Sequence, residues 1–231
     1  MKSDITAAMR NKEILKLIAG FRRFREKYFS GEEVLYHRLS SAGQSPKTLI
    51  IGCSDSRVDP ALISSASPGE IFVIRNVANI VPPYESANSG LHGISAAIEF
   101  AVVNLKVQNV VVLGHRQCGG IRVLMSGEQQ KEGSFLGHWM DIVHSARDRV
   151  LATHANSDFE DQCRECEKEG IVTSLQNLRS FPFVAQAIEQ RGLILYGIYF
   201  DLEQGQLLEY EENLNTFKQI EIDRDQPHAK A

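Results

Sequence analysis

The stretch Thr48-Leu49-Ile50-Ile51-Gly52-Cys53-Ser54-Asp55-Ser56-Arg57 passes from a short apolar run into a polar loop. A second stretch does the same, from Asn109 to Leu113 and then through Gly114-His115-Arg116-Gln117-Cys118-Gly119-Gly120. Short apolar runs bounded by turn residues are typical of buried strands. Both cysteine-bearing loops are therefore predicted to leave the carboxyl ends of strands.

The segments between these runs predict helices. Asp59-Pro60 offers an N-cap followed by proline at the first helical position, and Gly90 to Leu105 has helical periodicity. Further strands are predicted at Glu70 to Ile74, Gly192 to Phe200 and Gln206 to Tyr210, and Ser134 to Leu178 reads as largely helical with a break near Ala155 to Asp158. Strands separated by helices indicate an α/β fold: a single domain with a central, mostly parallel sheet flanked by helices.

The two ends of the chain differ from this middle part. Near the start, apolar residues recur at spacings of three and four, which predicts a helical arm over residues 1–35: Ile14, Leu17, Ile18, Phe21, Phe24 and Tyr28. The domain is then expected over residues 36–222. From Asp223 onward the chain is polar, and residues 223–231 are expected to form a flexible tail.

Composition excludes several classes of protein. The formal net charge is −4, from 25 basic and 29 acidic residues, so the chain lacks the basic surplus of a nucleic-acid-binding protein. Charged residues interrupt Met1 to Gly20 throughout, unlike a secretory signal, and no stretch elsewhere approaches the length of a membrane span. We therefore expect no membrane partner and a cytoplasmic location. The four cysteines then indicate metal ligands or free thiols instead of disulfides.

Cys53, His115 and Cys118 are the candidate metal ligands. Two thiolates and one imidazole, delivered from neighbouring strand ends, match the donor set that zinc prefers. Three protein ligands leave one position for water, as catalytic zinc sites do, although Cys163 or Cys166 could in principle close the site.

Asp55 and Arg57 follow the first ligand. They either form a loop salt bridge of little consequence or a bidentate pair that fixes the carboxylate beside the metal, and we favour the second interpretation.

These residues resemble a known family. Cys-Ser-Asp-Ser-Arg followed by Gly-His-x-x-Cys-Gly-Gly is similar to the double signature of the β-class carbonic anhydrases, in particular their plant-like branch. The resemblance covers roughly residues 40 to 210 and continues through Pro68-Gly69-Glu70, Arg75-Asn76-Val77-Ala78-Asn79, Ala96-Ala97-Ile98-Glu99-Phe100 and Cys166-Glu167-Lys168-Glu169.

The resemblance implies an enzyme that reversibly hydrates carbon dioxide to bicarbonate and a proton by attack of zinc-bound hydroxide. One Zn²⁺ per subunit would be held by Cys53, His115 and Cys118, with Asp55 and Arg57 as the catalytic pair. The positions that match substrate-binding residues are Gln44, Phe72, Val77, Phe100 and Gly119. Phe100 departs from the tyrosine that is frequent in this branch. The family forms dimers that share the cleft, so we expect a homodimer or a higher even oligomer.

Three other functions remain open at this point. The first is a zinc-bearing scaffold without catalysis, which would not need Asp55, Arg57 and Gln44. The second is a hydrolase for a carbon dioxide analogue such as carbon disulfide on the same zinc site. The third is a thiol redox protein built on Cys163 and Cys166, a spacing that is weak evidence outside a βαβ redox context.

Overall fold

Six strands form a single sheet in the computed structural model, which describes residues 11–30, 35–85, 92–127 and 132–221. They are β1 (Thr48–Cys53), β2 (Ile71–Asn76), β3 (Asn109–His115), β4 (Ile194–Asp201), β5 (Gln206–Glu211) and β6 (Thr216–Gln219). The strand order is β2-β1-β3-β4-β5-β6. The first four strands in that order run parallel to one another, and β5 and β6 are antiparallel. The predicted α/β fold with a mostly parallel sheet is confirmed.

The described helices fall into two compact units, Met1–Gln44 and Ser45–Ala231. The first unit contains α1 (Lys12–Tyr28) and α2 (Leu35–Ala42), whose aromatic side chains contact one another. The second contains α3 (Pro60–Ser64), α4 (Gly93–Glu99), α5 (Gly119–Ser126), α6 (Phe135–Asp141), α7 (His144–Thr153), α8 (Phe159–Ser180) and α9 (Pro182–Arg191). None of the described helices combines the length and the apolar character that crossing a membrane requires.

Local signals account for several of these boundaries. Asp59 caps α3, accepting a hydrogen bond from the Ala61 N–H at 2.9 Å, as the Asp-Pro pair predicts. The helix expected to reach Leu105 is α-helical only to Glu99 and continues as a π-helical turn over Phe100–Asn104. The predicted tail from Asp223 onward lies outside the described residues. Strand β6, which pairs with β5 at the edge of the sheet, has no counterpart among the predicted strands.

Helix α8 packs unusually close to the sheet, and two glycines make this possible. A Cβ atom at Gly114 of β3 would stand 2.6 Å from Ile171 Cδ1, and one at Gly197 of β4 would stand 2.9 Å from Ile171 Cγ2. Ile171 is itself fully buried in the main core between α8 and the sheet. The absence of side chains at both positions therefore sets the height of α8 above the strands.

We predict that Gly197→Ala destabilises the protein by about 1–3 kcal/mol, because the new methyl group overpacks a core that is already dense. The added Cβ would also approach Leu175 Cδ1 to 2.9 Å. Relief of the overlap would therefore require both Ile171 and Leu175 of α8 to move. The free energy of unfolding, measured by urea denaturation at fixed protein concentration, checks this.

Gly93→Ala is the matched control. A Cβ at this exposed first residue of α4 would meet no atom within 4 Å, so its unfolding free energy should stay within about 0.5 kcal/mol of wild type. Equal effects of the two substitutions would contradict the proposed close packing of α8.

Candidate metal centre

Three potential metal ligands converge at the carboxyl edge of the parallel strands. Cys53 is the last residue of β1 and His115 the last residue of β3, its neighbour in the sheet. Cys118 lies at the N-cap of α5, three residues beyond His115. The ligand atoms of these residues all lie within 4.8 Å of one another, and the three side chains are 5%, 1% and 2% exposed. The structure therefore brings together the three ligands that the sequence predicts.

The histidine ring is oriented for binding through Nε2. Its Nδ1 lies 2.8 Å from the Arg116 carbonyl oxygen, which accepts a hydrogen bond only if Nδ1 carries the proton. The Nε2 atom then presents a lone pair, and it is buried without a hydrogen-bond partner in the described part of the chain. An unsatisfied buried nitrogen is unfavourable, and a metal ion between His115 and the two sulfurs would satisfy it.

The two thiols share one proton when no ion is bound. The pKa of Cys53 is lowered to about 4 because its sulfur accepts a hydrogen bond from the Cys118 thiol, although burial opposes this shift. The pKa of Cys118 is raised because its proton is held by Cys53 and because it is buried. A divalent cation placed between the sulfurs replaces that proton and stabilises both thiolates. Soft, partly charged donors of this kind fit zinc.

Asp55 and Arg57 form the bidentate pair that the sequence analysis favoured. Arg57 Nε donates to Asp55 Oδ1 at 3.0 Å, and a second guanidinium nitrogen donates to Oδ2 at 2.7 Å. The Arg57 backbone N–H also donates to Oδ1, at 2.9 Å. The hydrogen bonds from Arg57 hold the pKa of Asp55 well below its usual range despite partial burial. Asp55 therefore stays ionised beside the ligand cluster and acts as a hydrogen-bond acceptor.

Arg75 holds the backbone of the loop that follows Cys53. From its position near the end of β2 it donates to the carbonyl oxygens of Cys53 and Asp55, at 2.9 and 2.7 Å. Its remaining guanidinium nitrogen lies 2.8 Å from Asp59 Oδ2. The backbone of the loop is thus held on both sides of Ser54, which fixes the main chain of Cys53 and that of Asp55 relative to each other.

Glu167 supports the opposite loop, a contact that the sequence analysis missed. Its carboxylate is 4% exposed and accepts hydrogen bonds from the Cys118 backbone N–H at 2.9 Å and from the Tyr199 hydroxyl at 2.7 Å. Burial raises the pKa of Glu167, and these two hydrogen bonds work against that shift. Glu167 appeared only as part of a resembling motif, because nothing in helical periodicity reveals a tertiary contact to a ligand loop.

Of the predicted substrate contacts, Val77 and Gly119 lie at this end of the sheet. Val77 begins a short 3₁₀ turn after β2, and a Cβ at Gly120 would stand 2.7 Å from its Cγ1. The Val77 side chain is 39% exposed, and its carbonyl oxygen accepts a hydrogen bond from Trp139 Nε1 at 2.8 Å. The turn is therefore fixed against the start of α5, immediately after the third ligand.

Phe72 and Phe100 lie farther away. Phe72 pairs with Leu49, four residues before Cys53, which corresponds to about 13 Å along the strand. The Phe72 and Phe100 rings contact each other, with centroids 5.9 Å apart. The structure thus does not place Phe72 beside the ligands of its own chain. Gln44 is exposed at the end of the first unit, and its role stays a prediction.

Comparisons with known proteins agree with one another. A family profile described as "Carbonic anhydrase" matches residues 48–207. A carbonic anhydrase of Synechocystis sp. is 37% identical over 203 residues, covering 87% of this chain and 73% of that protein. Among solved structures, the β-carbonic anhydrase CcaA has a TM-score of 0.83 and 35% identity, over 92% of this chain and 94% of that one. One of two tetrameric β-carbonic anhydrases from Sordaria macrospora has a TM-score of 0.69 and 28% identity, over 90% and 97%.

The thiol pair generates a prediction about pH. In metal-free protein, the rate of alkylation of Cys53 should change by less than about twofold between pH 8 and pH 6, because its thiolate is protonated only near its lowered pKa. Burial raises the pKa of Cys163 to about 11, so its labelling should fall about 100-fold over the same interval. Mass spectrometry of peptides labelled with iodoacetamide measures both rates. Parallel decline of the two rates would contradict the shared-proton arrangement.

Proposed function

Since this chain belongs to the β-carbonic anhydrase family, whose reaction is the reversible hydration of carbon dioxide to bicarbonate and a proton, we propose how its own residues carry that reaction. The observation that carries the proposal is the convergence of Cys53, His115 and Cys118 beside a carboxylate gripped by Arg57. The relatives named above are carbonic anhydrases, which favours hydration over the scaffold, analogue-hydrolase and redox alternatives.

We propose that the three ligands hold one Zn²⁺ per chain, with His115 binding through Nε2. The buried, unpartnered Nε2 and the shared thiol proton support this assignment. Zinc supplies a Lewis acid that lowers the pKa of a coordinated water and so provides a nucleophile near neutral pH. Glu167 and Arg75 contribute by holding the two ligand loops at fixed positions.

Asp55 orients the nucleophile in this proposal. Its Oδ1 already accepts two hydrogen bonds from Arg57, whereas its Oδ2 accepts one. A lone pair of Oδ2 therefore remains to accept the O–H of the attacking water or hydroxide, which directs the other lone pairs of that oxygen at carbon dioxide. Because the pKa of Asp55 is so low, its carboxylate does not take up the proton that the reaction releases.

We propose that Phe72 and Phe100 wall the cleft of a second subunit. The distance of Phe72 along the sheet from the ligands of its own chain supports this, as does its position on β2, the edge strand. Phe100, in the π-helical turn, packs against Phe72. Val73 on the same strand is 37% exposed and Phe100 is 44% exposed, so apolar surface is available there for a partner. A homodimer or a higher even oligomer follows, with Gln44 and Val77 as further substrate contacts and Gly119 leaving space beside the third ligand.

The four described cysteines are unpaired. This supports a reducing compartment, and we propose the cytoplasm.

The zinc assignment predicts the metal content of two variants. Wild-type protein should retain one zinc per chain after dialysis, and Cys118→Ser should lose most of it, since a neutral hydroxyl is a poor replacement for thiolate. Cys163→Ser is the matched control, because this buried cysteine lies outside the ligand cluster, and it should keep its zinc. Atomic absorption spectroscopy measures the content. Full zinc in Cys118→Ser would remove that residue from the ligand set.

The role of Asp55 predicts a loss of turnover without loss of metal. Asp55→Ala should lower kcat for carbon dioxide hydration by about 10- to 100-fold, measured by stopped flow with a pH indicator on zinc-checked protein. Ser56→Ala changes an exposed neighbour in the same loop and should hydrate carbon dioxide like wild type. A zinc-loaded wild type that hydrates no carbon dioxide but hydrolyses carbon disulfide would support the analogue hydrolase instead. Inactivity on both would indicate a scaffold.

A further inference from the structure

A chain of hydrogen bonds connects Arg57 to the hairpin between β4 and β5. One guanidinium nitrogen of Arg57 donates to Gln117 Oε1 at 3.3 Å, and another donates to the Gln117 carbonyl oxygen at 3.1 Å. Gln117 Nε2 in turn donates to Glu203 Oε1 at 2.7 Å. The amide of Gln117 is thus bonded at both ends, to Arg57 on one side and to Glu203 on the other.

The far end of this chain is itself anchored. Arg116 pairs with Glu203 Oε2 at 2.9 Å and with Asp201 Oδ2 at 3.3 Å. Asp201 closes the hairpin turn, accepting hydrogen bonds from the backbone N–H groups of Glu203 and Gln204. Glu203 is therefore a fixed acceptor and not a freely moving surface carboxylate.

Packing alone does not hold the Arg57 side chain. The side chain is 47% exposed, and it borders a cavity of about 450 Å³ whose wall also includes Gln117 and Glu203. A guanidinium with space on one side turns easily unless hydrogen bonds prevent it. Asp55 and Arg57 lie on the same loop, so the hydrogen bonds between them do not orient the pair relative to the second ligand loop. The hydrogen bonds from Arg57 to Gln117 orient it, because Gln117 lies on that second loop.

The backbone of Gln117 is strained in a way that serves this contact. Its φ is +59°, the left-handed region that non-glycine residues seldom adopt. The residue stands between two metal ligands, His115 and Cys118, and yet its side chain is exposed. Glycine or asparagine would relieve the strain at this position, but neither side chain can reach both Arg57 and Glu203.

We propose that Gln117 is a positioning residue that locks the Asp55–Arg57 pair onto the loop bearing His115 and Cys118, with Glu203 as its anchor. The inference rests on the proposed role of Asp55. Without the lock, Asp55 keeps its partner and its charge but samples more orientations relative to the ligand cluster. Turnover then falls although zinc, ligands and carboxylate are all present.

The test uses Gln117→Asn on the zinc-loaded full chain. Asparagine tolerates the left-handed backbone and keeps an amide, but it is shorter by one methylene group. We expect zinc content and thermal stability like wild type, KM for carbon dioxide unchanged, and kcat lowered about tenfold. We also expect faster solvent exchange of the Arg57 Nη1–H groups, which donate to Gln117 Oε1, measured by NMR on protein labelled with ¹⁵N-arginine. This reports the freed side of the guanidinium independently of activity.

A second variant keeps the inference falsifiable if Gln117→Asn folds poorly. Glu203→Ala removes the anchor from the hairpin and should lower kcat in the same direction. The double variant should be no slower than Gln117→Asn alone, because both changes break one chain of contacts. Additive losses, or full kcat in Gln117→Asn, would overturn the proposal.

Two control variants match the test. Lys106→Asn makes the same kind of change at another left-handed position, with φ of +53°, and Glu160→Ala removes a carboxylate paired with Arg122 on the other wall of the same cavity. Both should turn over like wild type. Asp55→Ala distinguishes failure of the proposed function from failure of the lock. A fully active Asp55→Ala refutes the proposed function, whereas an impaired Asp55→Ala beside an unaffected Gln117→Asn refutes only the lock.

Discussion

The parallel pairing of β1 with β3 is the constraint on which the rest of this structure depends. It places the last residues of both strands, Cys53 and His115, at one edge of the sheet, although 61 positions separate them in sequence. The third ligand follows within the turn that begins α5. Parallel neighbours end on the same side by geometry, so a single strand pairing brings two distant loops together into one candidate metal centre. Every other contact at the site refines the position of groups that this pairing has already brought together.

Helix α8 transmits the packing of the core to this centre. Gly114 and Gly197 let Ile171 approach the strands, and Glu167 lies one helical turn earlier on the same face of α8. The close approach at Ile171 thus brings a buried carboxylate within 2.9 Å of the Cys118 N–H. Tyr199 of β4 completes the arrangement by donating to the same carboxylate. Core packing and ligand geometry are therefore coupled through a single helix.

The sequence could predict the parts of the fold and site that depend on local pattern. Buried strands such as β1 and β3 show as apolar runs, and a capped helix start shows as Asp59-Pro60. The convergence of Cys53, His115 and Cys118 could be predicted because these donors, which zinc prefers, follow the ends of two neighbouring strands. Glu167 and Gln117 could not be predicted, because their partners lie on elements far away in sequence, and a φ of +59° at a glutamine has no compositional signal. The π-helical turn at Phe100–Asn104 could not be predicted for a different reason: its residues keep the periodicity of an α-helix.

The hydrogen bond from Trp139 to the Val77 carbonyl has a practical consequence. The chain contains one tryptophan, and its indole N–H donates a hydrogen bond to the turn that follows β2. That turn packs against the start of α5. Indole emission depends on the polarity around the ring and on the bond that its N–H makes. The tryptophan fluorescence of the unmodified protein therefore arises from one location next to the ligand loops. It gives an optical signal for events at the centre without any attached label.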